Sequence, residues 1–263
     1  MSVRRPSPSR RRTERTSNSA RKPISVIVPT LNEEKLLAGC LDQFTSELRE
    51  RFGLELVVSD GGSTDNTVGI AMAYADTLVV HDAHYRQTIS EGRNRGAAAA
   101  SGSILVFLNA DTRLADPKIF FERIAIRFSL DPSLAALATR VEVFPEERRI
   151  VDKLFHRFFN AYVHFLNMLG IGAGRGECQI VRRAVFNGVG GYDVNFPAGE
   201  DFDLYNRISR FGNVVFDSRL LVYESPRRYR KYGYARVYRD WVRNGLRTFF
   251  SRKAASEVWE EVR

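Results

Sequence analysis

Three short apolar runs, residues 24–28 (ISVIV), 54–58 (LELVV) and 104–108 (ILVFL), constrain this chain more than any other feature. Each is too short for a buried helix and lacks the polar alternation of a half-exposed strand. Each therefore predicts a strand covered on both faces. Helical spacing fills the intervals. Asn32-Glu33-Glu34 opens a stretch with Leu36, Leu37, Cys40, Leu41 and Phe44 on one side. A second helix is expected from about 64 to 75, a further strand at 77–80 and an Ala-rich helix near 90–100. Strands and helices alternating at this spacing predict right-handed βαβ units, hence an α/β fold whose mostly parallel, Rossmann-like sheet is flanked by helices. Asp60, Asn109 and Asp111 each follow directly on an apolar run. Open α/β sheets bind ligands in the crevice outside the carboxyl ends of their strands.

The net charge of +9 belongs mainly to one segment. Residues 1–22 hold eight Lys or Arg and one Glu, leaving only +2 for the remaining chain, so a broad nucleic-acid-binding face is not expected. That tail is rich in Ser, Pro and Arg and poor in apolar residues, so it is expected to be a disordered extension. Two readings stand for it: a solvated tail, or a patch attracted to an anionic membrane surface. It has no apolar core of a secretory signal, and no run reaches the length of a membrane span. Cys40 and Cys178 have no CxxC partner, so neither a zinc site nor a redox pair is indicated. The expected location is cytoplasmic, with the inner face of the membrane as its variant.

Further along, residues 150–169 show helical periodicity. Val151, Phe155, Phe158, Tyr162, Phe165 and Leu169 form one stripe, and Lys153, Arg157, Asn160, His164 and Asn167 another. This predicts a helix whose apolar stripe either packs on the core or touches lipid. Asp111 could cap the turn it sits in or hold a hard divalent cation, which favours oxygen ligands and needs only one or two carboxylates beside substrate phosphates. Glu200 and Asp201 precede a helix with apolar Leu204, Ile208 and Phe211. There they could act as N-terminal caps, or as a clustered pair in which one carboxyl is raised toward the range of a general base. Arg182, Arg183, Arg227 and Arg228 are candidate phosphate ligands, because a guanidinium fork matches phosphate oxygens in pairs.

Taken in order, ISVIVPTLNEEKL (24–36), VVSDGGSTDNT (57–67), GRNRG (92–96), VFLNADT (106–112), GGYD (190–193) and GEDFDL (199–204) resemble the family 2 glycosyltransferases of the GT-A fold, from about residue 24 to about 230. The resemblance implies an inverting transferase that uses a nucleotide-diphosphate sugar and a divalent metal, Mg²⁺ or Mn²⁺. It divides the chain into the tail 1–22, a transferase domain 23–230 and a C-terminal helical extension 231–263. By position, Pro29, Thr30, Asn32 and Glu33 would line the nucleoside pocket. Asp60 would accept a hydrogen bond from the base, with Gly61 and Ser63 admitting a close backbone approach. Arg93, Asn94 and Asn109 would face the nucleotide-sugar, Asp111 would be the metal ligand, Asp201 the catalytic base, and Glu200 its neighbour on the acceptor side. Two departures stand out. Asn109 replaces the first Asp of the family's DxD element, and the QxxRW motif of processive synthases is absent, its place taken by residues 225–230 (SPRRYR). Single-sugar transfer is therefore expected, to a hydroxyl or to a lipid-linked phosphate acceptor. The rival readings are an inactive sugar-nucleotide-binding or membrane-tethered module of the same fold, and a nucleotidyltransferase. The latter normally needs a Gly-rich phosphate loop with Lys after the first strand, and Pro29–Glu33 lacks one.

Overall fold

The computed structural model describes residues 23–82, 84–196, 199–237 and 239. The expected tail 1–22 and most of the expected extension 231–263 lie outside the described residues. The three apolar runs are strands β1 (Ile24–Thr30), β2 (Leu54–Asp60) and β4 (Ile104–Leu108), with β3 (Thr77–Val80) between the last two in sequence. Four more strands complete the sheet: β5 (Thr112–Leu114), β6 (Leu134–Val143), β7 (Cys178–Arg182) and β8 (Asn213–Glu224). The spatial order is β3-β2-β1-β4-β7-β6-β8-β5. The first four strands are parallel, β7 runs antiparallel to both β4 and β6, and β8 is parallel to β6.

Alternate side chains of the central strands enter two cores. Ile24, Val26 and Val28, with Leu54, Leu56, Val58, Ile104, Val106 and Leu108, pack beneath α1 (Leu37–Leu41), α2 (Ser46–Phe52) and α5 (Pro117–Leu130). Ile27, Val57, Leu105 and Phe107 point the other way, toward Ala97, Phe159, Tyr192 and Leu204. Both faces are covered, which is why these runs read as continuous rather than alternating. Phe107 is fully buried against Phe186 and Tyr192, and truncating such a ring to Ala costs about 3–5 kcal/mol.

The helices start where local chemistry allows. Helix α4 (Ile89–Ala99) opens with a capping box in which Thr88 Oγ1 accepts from the Glu91 amide and the Glu91 carboxylate accepts from the Thr88 amide. It lies so close to β1 that a Cβ on Gly96 would sit 2.5 Å from Ile27 Cγ2. The helix expected over 32–44 is shorter. Residues 32–36 form a turn and α1 starts at Leu37, with α2 a separate helix. Likewise α3 (Thr67–Tyr74) starts later than 64, because residues 63–66 are held by the 32–34 turn.

Helix α6 (Ile150–Met168) corrects the core-packing reading of its apolar stripe. Its buried side is Asp152, His156, Phe159, Asn160 and Val163, whereas Val151, Phe158, Tyr162, Phe165 and Leu169 are exposed. Hydrogen bonds explain the inversion. Asn160 closes a two-bond pair with the Val141 backbone, donating to its carbonyl at 2.9 Å and accepting from its amide at 3.1 Å. Asp152 is held by both terminal nitrogens of Arg230, at 2.8 and 2.6 Å, and accepts from Tyr234. Although burial opposes it, that pairing keeps the Asp152 carboxyl down at about 2. Arg230 lies on α9 (Arg227–Tyr232), so the pair fixes this segment against α6. Fully paired polar groups can be buried.

Candidate active site

The carboxyl ends of β1 and β2 are joined by their loops. Thr30 Oγ1 donates to Asp60 Oδ2 at 3.0 Å, and the other Asp60 oxygen accepts from the amides of Gly62 and Ser63 at 2.9 and 2.8 Å. Ser63 Oγ adds a fourth donor at 2.5 Å. Asp60 is fully buried and its lone pairs are engaged, so it shapes the 60–63 turn and offers no free oxygen in this arrangement. Asn32 takes the left-handed conformation at φ 52°, which Asn tolerates, and its Oδ1 accepts from the Thr64 amide at 2.7 Å. The Asn32 amide donates to Ser63 Oγ and the Glu33 amide to Thr67 Oγ1, both at 2.8 Å. These backbone-to-side-chain bonds fix the turn and leave the Glu33 carboxylate pointing elsewhere.

That carboxylate meets Arg227. The guanidinium forks onto Glu33 at 3.0 and 2.6 Å and also reaches Asp111 Oδ2 at 3.1 Å, so one cation bridges carboxylates from two loops. Burial raises the Asp111 carboxyl; Arg227 opposes the rise, and Glu33 and Glu177 reinforce it. Arg228, half-buried near Asp111 and Glu224, is pushed below the usual Arg range by loss of water.

Arg93, only 1% exposed, is the second cation. It donates to Glu200 Oε1 at 2.8 Å, to Asn109 Oδ1 at 3.0 Å and to the Gly176 carbonyl at 2.7 Å, with its guanidinium 5.2 Å from the Tyr192 ring centroid. Helix α4, the end of β4, the 170–176 loop and helix α8 (Glu200–Ile208) are thus tied at one point. Asp201, the second residue of α8, is half-buried beside that tie. Loss of water pushes its carboxyl up to about 7, the Glu200 charge adds to the rise, and Arg93 partly offsets it. A carboxyl near 7 is poised to take a proton at neutral pH.

A third ionic group lies beneath the other two. Arg175 pairs with Glu177 at 2.9 Å and Glu224 at 2.8 Å, and donates to His156 Nδ1 at 3.0 Å. Tyr229 donates to the same Glu224 oxygen at 2.8 Å. Burial works against both carboxylates. Arg175 holds Glu177 below its ordinary range, while Glu224 is driven well above its own by burial and by Glu177. Burial, then Arg175, lowers His156 to about 3 and keeps it neutral.

Among the predicted residues, Glu33, Asp111 and Arg227 join in one ionic cluster with Arg228 beside it, and Arg93, Asn109 and Glu200 in another with Asp201 beside it. Pro29, Thr30, Gly61 and Ser63 line the β1–β2 end. Four residues have the groups expected to face a ligand engaged within the protein here: Asp60, as described above, Asn94, Arg93 and Asn109. Asn94 spends its amide on the Tyr192 backbone, donating at 2.8 Å and accepting at 2.9 Å, so it clamps a turn. Arg93 and the Asn109 side chain bond each other at 3.0 Å. The sequence reading missed Arg175, Glu177 and Glu224. Glu224 carried the same strand-end signal as Asp60, whereas Glu177 reaches the site at the start of an antiparallel strand, which local pattern does not reveal.

The match with the family described as Glycosyl transferase family 2 covers residues 25–190. The chain belongs to this family. A PGL/p-HBAD biosynthesis glycosyltransferase of Mycobacterium bovis (strain BCG / Pasteur 1173P2) is 40% identical over 95 residues, 35% of this chain and 36% of that protein. The succinoglycan biosynthesis protein ExoA of Rhizobium meliloti (strain 1021) is 24% identical over 212 residues, 75% of this chain and 62% of its own length. The family 2 chain thus spans about a third of the first curated relatives it matches. Among solved structures, the mannosyltransferase PcManGT from Pyrobaculum calidifontis, in complex with GDP-Man and Mn²⁺, superposes with a TM-score of 0.67 at 22% identity, covering 89% of this chain and 64% of that one. Glucosyl-3-phosphoglycerate synthase from Mycobacterium tuberculosis, with Mn²⁺, UDP and phosphoglyceric acid, gives 0.59 at 21% identity over 93% of this chain and 81% of that one. The sheet and its flanking helices are the GT-A fold. Among the described residues, no helix is long and apolar enough to cross a membrane.

The donor set suits a divalent metal shared with a ligand. Among the described residues no three acidic, His or Cys side chains converge to hold an ion unaided. Asp111 nevertheless presents a part-exposed carboxylate, flanked by Glu33, to which a guanidinium is already drawn. Asp111, with Glu33 beside it, would be the carboxylate that holds a Mg²⁺ or Mn²⁺ ion shared with the phosphates of a bound nucleotide.

Proposed function

We propose that the chain transfers one sugar, with inversion, from a nucleotide-diphosphate sugar to an acceptor hydroxyl or a lipid-linked phosphate acceptor. The observation that carries this reading is the Asp201 carboxyl, raised to about 7 and tied through Glu200 and Arg93 to the end of β4 that carries Asp111. The nucleotides named for the related structures, the sugar donor GDP-Man in one and UDP in the other, support a nucleoside diphosphate as the leaving group.

In this reading the Asp201 carboxylate takes the proton of an acceptor hydroxyl as that oxygen bonds to the anomeric carbon. The bond from this carbon to the diphosphate oxygen breaks on the opposite face, and its electron pair leaves with the diphosphate. Arg227, on exchanging its Glu33 and Asp111 partners for the diphosphate, and Arg228 beside it would face the growing charge and stabilise it. Asp111 would hold the Mg²⁺ or Mn²⁺ ion, which supplies a further positive charge on the diphosphate when bound. An acceptor already ionised, such as a phosphate, would need positioning beside Asp201 more than deprotonation. The 60–63 and 30–33 turns, held rigid by Asp60 and Asn32, form the nucleoside end.

Asp201→Asn tests the assignment. Turnover of a nucleotide-sugar should fall by about 10²–10⁴, while thermal stabilisation by the nucleoside diphosphate with Mn²⁺ persists. Unchanged turnover rejects Asp201 as the base.

A further inference from the structure

The outer side of α6 is built unlike that of the other described helices. Ile150, Val151, Leu154, Phe158, Tyr162, Phe165, Met168 and Leu169 are all exposed, from 43% at Tyr162 to 77% at Ile150. At 100° per residue these side chains occupy roughly one-third of the helix circumference. Along one flank of that band run Lys153, Arg157 and His164, also exposed. The only acid in the helix, Asp152, is turned inward and paired with Arg230. The acids just ahead of the helix, Glu146 and Glu147, precede the band, and Glu146 is taken by Arg113 at 2.9 Å.

We infer that α6 lies flat on an anionic membrane, its exposed apolar band set into the acyl boundary and Lys153 and Arg157 against the headgroups. Charge complementarity selects this occupant. A one-sided apolar band bordered by cations and free of acids is what an anionic lipid surface attracts. The face is also rigidly referenced to the site. The buried side of α6 grips α9 through Asp152–Arg230, and α9 carries Arg227 onto Asp111 and Glu33. Docking this face brings the crevice to a fixed orientation relative to the lipid. The basic segment 1–22 would add attraction without orientation.

The test uses the full chain and sedimentation with phosphatidylcholine vesicles, with and without phosphatidylglycerol. Wild type should bind the phosphatidylglycerol vesicles. Phe158→Ser combined with Phe165→Ser should weaken binding more than tenfold, and Lys153→Gln or Arg157→Gln should each weaken it roughly fivefold, only when phosphatidylglycerol is present. Circular dichroism should match wild type for every variant, and Phe165→Ser alone, a 55% exposed side chain, should keep the wild-type thermal midpoint. Asp201→Asn should bind vesicles like wild type, so loss of catalysis and loss of docking are read separately. Three outcomes overturn the inference. Wild type does not bind; the double Phe variant binds unchanged, leaving residues 1–22 as sufficient; or light scattering finds a wild-type dimer that the Phe variant makes monomeric, showing that a second copy covers the face.

Discussion

The pH dependence of turnover is the sharpest consequence of the site's electrostatics. A base must be deprotonated to act, so activity is present above the Asp201 pKa and lost as pH falls through it. With that value raised to about 7, kcat/KM for a hydroxyl acceptor should fall tenfold per pH unit on the acid side. At pH 5 it should lie about a hundredfold below its plateau, whereas an Asp at its ordinary value of 3.8 would leave the profile flat to that pH. Burial is the main cause of the rise and the Glu200 charge the next, so Glu200→Gln removes only the second. The amide oxygen can still accept from Arg93, which keeps the tie in place. The break in the profile should move down but stay above the ordinary Asp range, because burial, the larger cause, remains. Asp201→Asn should abolish the limb altogether. The assay is kcat/KM, confirmed by single-turnover rates so that product release does not mask the chemical step. A wild-type profile flat to pH 5, or a break that Glu200→Gln does not move, would refute this reasoning.

Three further outcomes follow from the ion pairs. Arg93→Ala leaves Glu200 without its buried partner and unties four elements; it should cost about 3–5 kcal/mol in urea unfolding and lower turnover with it. Arg227→Ala frees Asp111 and Glu33 from their shared cation, so Mn²⁺ affinity without nucleotide, measured by calorimetry, should rise while kcat falls roughly tenfold or more. Asp111→Ala should remove the metal-dependent part of nucleoside diphosphate binding in a thermal-shift titration; metal-independent turnover in the unaltered chain would count against that role.

Much of the parallel half of the sheet is legible in the sequence because its physics is local. Residues 24–28, 54–58 and 104–108 are buried on both faces, and their apolar runs say so. The polar tips at Asp60 and Asp111 mark the ends where the chain leaves the sheet. What local pattern could not supply is direction. The 150–169 periodicity reveals an amphipathic helix but not which side faces inward, because Asp152, His156 and Asn160 are buried only by virtue of Arg230, Arg175 and the Val141 backbone, partners that lie 19 to 78 positions away. The same holds for Arg93. Its motif placed it near a ligand, whereas three acceptors from distant segments draw it into the interior.

The reversal at β7 explains why so many carboxylates collect at one edge. Strands β1, β2 and β4 end there with Thr30, Asp60 and Leu108. Because β7 is antiparallel, its first residue Cys178 pairs with Leu108, and Glu177 enters beside Asn109 and Asp111. Strand β8 ends at the same edge, where Glu224 pairs with Thr112. A wholly parallel sheet would have placed Glu177 at the opposite edge. Crowding acids this way is costly unless cations are interleaved, and the chain supplies Arg93, Arg175 and Arg227 from a helix, a loop and the segment after β8. Arg93 and Arg175 are almost fully buried against carboxylates and act as fixed counter-charges. Arg227 is a quarter exposed and shares two carboxylates, which makes it the cation of the three able to exchange its partners for an incoming diphosphate. The Arg227→Ala experiment therefore separates the two kinds of cation. Increased metal affinity with an unaltered unfolding midpoint marks an exchangeable group, whereas a fall in the midpoint like that of Arg93→Ala would place Arg227 with the structural pair.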